Sequence, residues 1–133
     1  MILDTSAIVA AVANEPDGAR FQNAMITAES MTISAIGVLE TRIVLHSRYG
    51  TEAVRAFDEL LADARISIIP FDFELAQAAF DAFRRFGKGQ GHRAQLNIID
   101  CTAYALAKIR REPLLFKGND FEATDIDSAI SSV

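Results

Sequence analysis

Short apolar runs that close on a polar side chain alternate, along almost the whole chain, with longer stretches whose apolar residues recur at helical spacing. This alternation limits the possible folds more than any other feature. MILD opens the chain as a strand, and Thr5 or Ser6 caps a helix running from Ala7 to Asn14. MTIS at Met31 to Ser34, ISII at Ile66 to Ile69 and LLF at Leu114 to Phe116 read as further strands.

Helical spacing fills the intervals. One helix follows the break at Pro16 and runs to about Ala28, with Phe21, Met25 and Ile26 on one side. Ser34 caps the next, which carries Ile36, Leu39, Ile43 and Val44 and stops before Gly50. Thr51 to Ala64 forms another. Asp72 caps the one that holds Leu75, Ala76, Ala79, Phe80 and Phe83 and ends at Gly87, and Asn97 begins the last, which Pro113 stops. The closing TDIDSAISSV either adds an edge strand at Ile126 or frays.

The expected architecture is α/β, a parallel sheet of about four to five strands flanked by helices. Its 133 residues form one domain, 1–133. A chain of this size buries roughly 68% of its unfolded surface, enough for an independent core. In such sheets ligands bind beyond the carboxyl ends of the strands.

Those ends are where the chain places carboxylates. Asp4 closes the first strand beside two small hydroxyls, Thr5 and Ser6, so it either caps a helix or binds something. Glu40 interrupts an apolar helix stripe, where a lone Glu is otherwise a solvated side chain. Asp100 lies between Ile99 and Cys101, with Asn97 and Tyr104 on its helix face. A buried carboxylate without a partner is costly, so a metal or a cation is expected there. Asp120 follows the turn at Gly118 and Asn119 and either caps a final short helix or acts as a ligand.

Brought together, four carboxylates offer hard oxygen ligands that suit Mg²⁺, with Mn²⁺ as a substitute, rather than zinc. The chemistry such a cage supports is metal-assisted phosphodiester hydrolysis by an activated water. His46 and His92 have no acidic or cysteine partner at ligand spacing and receive no catalytic role. Cys101, the lone cysteine, reads as a small buried helix residue, fits a reducing cytoplasmic location and excludes an intrachain disulfide.

A net charge of −5 opposes long-range capture of nucleic acid and argues against a sequence-specific DNA binder. From Ala82 to Ile99, however, there is no Asp or Glu, while Arg84, Arg85, Lys88, His92 and Arg93 are present. That stretch includes the glycine-rich loop GKGQG, Gly87 to Gly91, and reads as a solvated face or a phosphate-contacting loop. The apolar run at Ala7 to Ala13 is too short to span a bilayer, and no membrane association is expected.

DTSAIVA at the start, SAIGVLET in the middle, and LNIIDCTAYALAK with PLLFKGNDF towards the end resemble the PIN-domain ribonucleases, specifically VapC-type toxins of toxin–antitoxin pairs. The likeness extends over almost the whole chain. It implies an Mg²⁺-dependent endoribonuclease in which Asp4 and Asp100 are the principal metal ligands, Glu40 completes the pocket and Asp120 is a fourth member. It further implies an RNA substrate, a cytoplasmic homodimer, and a cognate antitoxin whose arginine is drawn to the same carboxylates. The chain departs from the family in having Gly118 at the first position of the usual D-x-D-F, and Ile98 and Ile99 ahead of Asp100 where similar sequences place an aromatic and a glycine.

Two other readings compete. One is a catalytically inactive PIN-like module that binds RNA or a partner. The other, a phosphatase or phosphorelay receiver on a similar sheet, is disfavoured because DTS lacks the second acid of a D-x-D motif.

Overall fold

The computed structural model describes residues 1–130. Its elements, in chain order, are β1 (Ile2–Leu3), α1 (Thr5–Val12), α2 (Gly18–Thr27), β2 (Thr32–Ser34), α3 (Ala35–Tyr49), α4 (Thr51–Asp63), β3 (Ser67–Ile69), α5 (Phe73–Phe86), α6 (Ile98–Arg110) and β4 (Leu114–Leu115). The four strands form one sheet in the order β3-β2-β1-β4, with every pair parallel. The expected α/β architecture with helices against a parallel sheet is therefore present, at four strands.

Alternation within the strands divides the core. Ile2 and Leu114 join a cluster with Leu75, Phe86, Leu96 and Leu106 from the α5 and α6 side. Their neighbours Leu3 and Leu115 point to the opposite face and pack with Ile8, Phe21, Ile33, Leu45 and Phe57. Gly18 lets α2 approach α1, because a Cβ there would stand 2.4 Å from the Ala10 carbonyl oxygen.

Several apolar side chains expected to pack do not. Ile26 is 81% exposed, Leu39 57%, Ile43 55% and Phe80 61%. On α3 the buried stripe is instead Gly37, Val38, Thr41 and Leu45, a narrower helical face that includes a small and a polar residue. β3 lies at the sheet edge, so Ile68 is 49% exposed although the run around it is apolar.

The chain's end also differs from expectation. The contact with β4 forms at Ser128 rather than Ile126, where the Leu114 N–H donates to the Asp127 carbonyl and the Ala129 N–H to the Leu114 carbonyl, both at 2.9 Å. Residues 131–133 of the predicted tail lie outside the described residues. Among the described residues no helix follows Gly118. Residues 119–125 form successive turns, with the Glu122 N–H donating to the Asn119 carbonyl at 3.2 Å, so the expected capping role of Asp120 has no helix to act on.

Candidate metal centre

The order β3-β2-β1-β4 makes the chain leave β1 towards β2 on one side and reach β4 on the other. A crevice at the carboxyl ends of β1 and β4 is the usual result. Asp4 stands at the end of β1, and Gly118, with φ of 99°, turns the chain after β4 towards Asp120. Glu40 sits on α3, which starts directly after β2, and Asp100 lies in the first turn of α6.

Asp4 is itself the cap of α1, a role expected of Thr5 or Ser6. Its Oδ2 accepts from the Ser6 N–H at 3.0 Å and from the Ser6 hydroxyl. The Ser6 Oγ in turn accepts from the Lys117 N–H at 2.9 Å, which ties the end of β1 to the end of β4. Asp4 is 4% exposed, and its second oxygen, Oδ1, is buried with no hydrogen-bond partner.

Thr5 serves the scaffold. The Thr41 hydroxyl donates to the Gly37 carbonyl at 2.7 Å, so its single proton is committed and Thr5 Oγ1 is the donor in their 3.1 Å contact. That buried pair fastens α1 to α3, the helix bearing Glu40.

Asp100 is held by a reciprocal cap. Its N–H donates to Asn97 Oδ1 at 2.8 Å, and its Oδ2 accepts from the Asn97 N–H at 3.0 Å. Tyr104, expected on the same face, points its hydroxyl to Asp125 instead and takes no part in the site. Cys101 is buried, as expected of a small helix residue, and burial pushes its thiol up to about 11.

The carboxylates feel one another. Burial lifts Asp4 to about 6 against the Ser6 hydrogen bonds, with the Glu40 charge adding to the rise. Burial likewise lifts Asp100 to about 7, opposed by the Asn97 N–H and reinforced by the charges of Asp4, Asp120 and Glu40. All four acids thus share one electrostatic neighbourhood. Glu40 is half-buried and Asp120 is exposed. Among the described residues no three Asp, Glu, His or Cys side chains stand close enough together to hold a metal ion, so the expected four-carboxylate cage is not assembled.

A divalent cation fits this donor set in a specific way. The buried, unpartnered Asp4 Oδ1 lacks the positive or donor group that a buried carboxylate oxygen requires. The all-oxygen, all-carboxylate composition suits Mg²⁺ or Mn²⁺.

Residues 1–127 match the PIN domain family. A protein named ribonuclease VapC28 from Mycobacterium tuberculosis is 45% identical over 130 residues, which span 98% of this chain and 98% of that one. Among solved structures, Mycobacterium tuberculosis VapC20, described as a sarcin-ricin loop cleaving toxin, superposes with a TM-score of 0.78 at 16% identity, covering 94% of this chain and 95% of that one. A chain from a toxin–antitoxin complex of Klebsiella pneumoniae gives a TM-score of 0.67 at 16% identity, covering 90% and 88%. At those identities the two structures speak for the fold alone.

Proposed function

Because this chain belongs to the PIN-domain family of VapC ribonucleases, we propose that it is a metal-dependent endoribonuclease and the toxin of a toxin–antitoxin pair, acting in the cytoplasm from a single nuclease domain spanning 1–133. Asp4 and Asp100 are the principal Mg²⁺ ligands, Glu40 is the third carboxylate, and Asp120, exposed on its turn, completes the site. Mn²⁺ is the expected substitute.

The observation that carries this reading is the buried, unpartnered Oδ1 of Asp4 within reach of the charges that raise Asp100. When bound, a divalent cation supplies charge for the phosphate oxygens and lowers the pKa of an attacking water. The protein's own contribution is orientation. Ser6 fixes one oxygen of Asp4 and leaves the other available, and the Asn97 cap does the same for Asp100. No serine, cysteine or histidine nucleophile is required.

An antitoxin and a second copy are the expected protein partners. Ala11, Val12, Met25, Ile26, Ala56 and Leu60 line an open apolar groove between α1, α2 and α4, suited to an apolar antitoxin segment. Leu39 and Ile43 on α3 and Phe73 and Phe80 on α5 are exposed apolar side chains available for a homodimer to bury. Among the described residues no helix is long and apolar enough to cross a membrane.

Purified protein is expected to cleave RNA with Mg²⁺ or Mn²⁺ and to stop on addition of EDTA. Expression in a bacterial host is expected to arrest growth, with relief by Asp4→Ala or by the co-expressed partner. RNA affinity without cleavage across titrations of both ions contradicts this reading and supports an inactive RNA-binding module.

A further inference from the structure

A site built from carboxylates repels the phosphates it is meant to cut, and the chain as a whole carries a net charge of −5. If the ribonuclease reading holds, the substrate backbone needs a cation beside the carboxylates in addition to any bound metal. The acid-free stretch 82–99 is the natural source, and the structure separates its members by what they already hold.

Arg84 is paired with Asp81 at 2.9 Å, and Arg85 with Asp125 at 3.6 Å. His92 packs edge-on against Phe86 and accepts the Ala94 N–H on Nδ1 at 3.0 Å, so it closes its own turn. Lys88 and Arg93 are both exposed and have no ion pair among the described residues, and of these two Arg93 is the one that stands beside a cleft next to the turn bearing Asp120. Together with Asn119, Glu122 and Ala123 it lines a cleft of about 360 Å³, and Asn119 is the residue directly before Asp120.

The loop that presents Arg93 is closed at its base. The Lys88 N–H donates to the Leu96 carbonyl and the Leu96 N–H to the Phe86 carbonyl, each at 2.9 Å. Leu96 is fully buried, and Asn97 just beyond it caps the helix carrying Asp100. One short segment therefore links the guanidinium to Asp100 through the chain and, across the cleft, to the turn that carries Asp120.

We infer that Arg93 holds a backbone phosphate of the RNA beside the carboxylate site, as a substrate-positioning residue. An unpaired guanidinium offers a planar fork of donors that matches phosphate oxygens, and its location places that phosphate next to the turn bearing Asp120. The inference deepens the ribonuclease reading and names how an acidic protein retains an anionic substrate.

The test is fluorescence anisotropy of a labelled single-stranded oligoribonucleotide over a series of KCl concentrations, with Ca²⁺ in place of Mg²⁺ and probe integrity checked on a gel. Arg93→Ala is expected to weaken binding roughly three- to tenfold at low salt and to make the log–log salt dependence shallower by about 0.7, the value of one single-strand phosphate contact. Arg93→Lys is expected to restore the slope. Arg65→Ala removes the same charge just ahead of β3, at the opposite end of the strands, and is expected to leave the slope unchanged. In Mg²⁺, Arg93→Ala is expected to raise KM severalfold with kcat within about twofold.

A slope for Arg93→Ala no different from that of Arg65→Ala overturns the inference, even where wild-type protein cleaves RNA. Binding with the expected slope change but no cleavage in either metal overturns the ribonuclease reading and keeps the role of Arg93. Absence of any RNA binding overturns both.

Discussion

Ser6 grips Asp4 with both its backbone N–H and its hydroxyl, while the same hydroxyl receives the Lys117 N–H from the end of the neighbouring strand at 2.9 Å. The hydroxyl has one proton, and accepting from Lys117 directs that proton to Asp4. The end of β4 thereby helps to fix which oxygen of Asp4 is occupied and which is left for a ligand.

Ser6→Ala removes the donor to Asp4 and leaves the Lys117 N–H without its acceptor. We expect divalent-metal affinity, measured by Mn²⁺ titration, to fall about 10–100-fold, as for other residues that orient a metal ligand. Unfolding stability is expected to drop by about 1–3 kcal/mol. Metal affinity equal to wild type would place Ser6 outside the working site.

Proton linkage gives the metal-free protein an unusual pH response. Asp4 and Asp100 are raised to about 6 and about 7 from 3.8, so between roughly pH 4 and 7 the folded state binds more protons than the unfolded state. Stability then decreases as pH rises through that window, by on the order of 2–3 kcal/mol for Asp4 alone. Thermal melts with EDTA are expected to give a lower Tm at pH 8 than at pH 6, and Mg²⁺ is expected to recover the difference. Metal affinity should climb over the same range, because binding requires the ionised carboxylates. A metal-free Tm that rises from pH 6 to pH 8 contradicts the assignment.

Lys117 works through its side chain as well. Its ammonium pairs with Glu15 Oε1 and Asp17 Oδ1, both at 2.9 Å, stapling the α1–α2 connection to the turn that carries Asp120. Lys117→Met is expected to cost only about 1 kcal/mol, since all three side chains are partly exposed to solvent. Its clearer signature is faster amide exchange at residues 118–122 and weaker metal binding. Exchange unchanged there would show that the turn holds itself.

Much of this was readable from local pattern. Ser34 and Asp72 cap the helices expected of them, and Asn97, read as the start of the last helix, is its cap, because a cap is a contact between residues three apart and the pattern sits within a few letters. Asp4, Glu40, Asp100 and Asp120 were legible for a related reason: each charge falls where an apolar run ends or is interrupted. What the sequence hides is partner geometry across long separations. Nothing local tells that the Lys117 backbone reaches Ser6, and local pattern offers Asp4, Thr5 and Ser6 alike as the cap without choosing among them. Leu39 and Ile43 satisfy helical spacing as well as the true stripe does, and only the position of α3 against its neighbours selects Gly37, Val38, Thr41 and Leu45. Arg93 was one of five basic residues until the ion pairs of Arg84 and Arg85 and the turn of His92 set those three aside, and the cleft shared with Asn119 distinguished it from Lys88.

Asp100→Asn separates the two duties of that residue. The amide oxygen still accepts the Asn97 N–H, so the cap on α6 survives, while the charge that repels Asp4 is gone. The variant is expected to be at least as stable as wild type at pH 8 without metal. Lower stability would mean that the charge itself supports the fold.

The most direct measurement is single-turnover RNA cleavage by wild type and Asp100→Asn across one Mg²⁺ titration. The carboxylate-held metal predicts saturable, EDTA-sensitive cleavage by wild type. For the folded variant it predicts a loss of at least about a hundredfold that added Mg²⁺ does not restore, beyond what loss of a supporting hydrogen-bond partner produces. Cleavage by Asp100→Asn at the wild-type rate, with the same Mg²⁺ dependence, would contradict it.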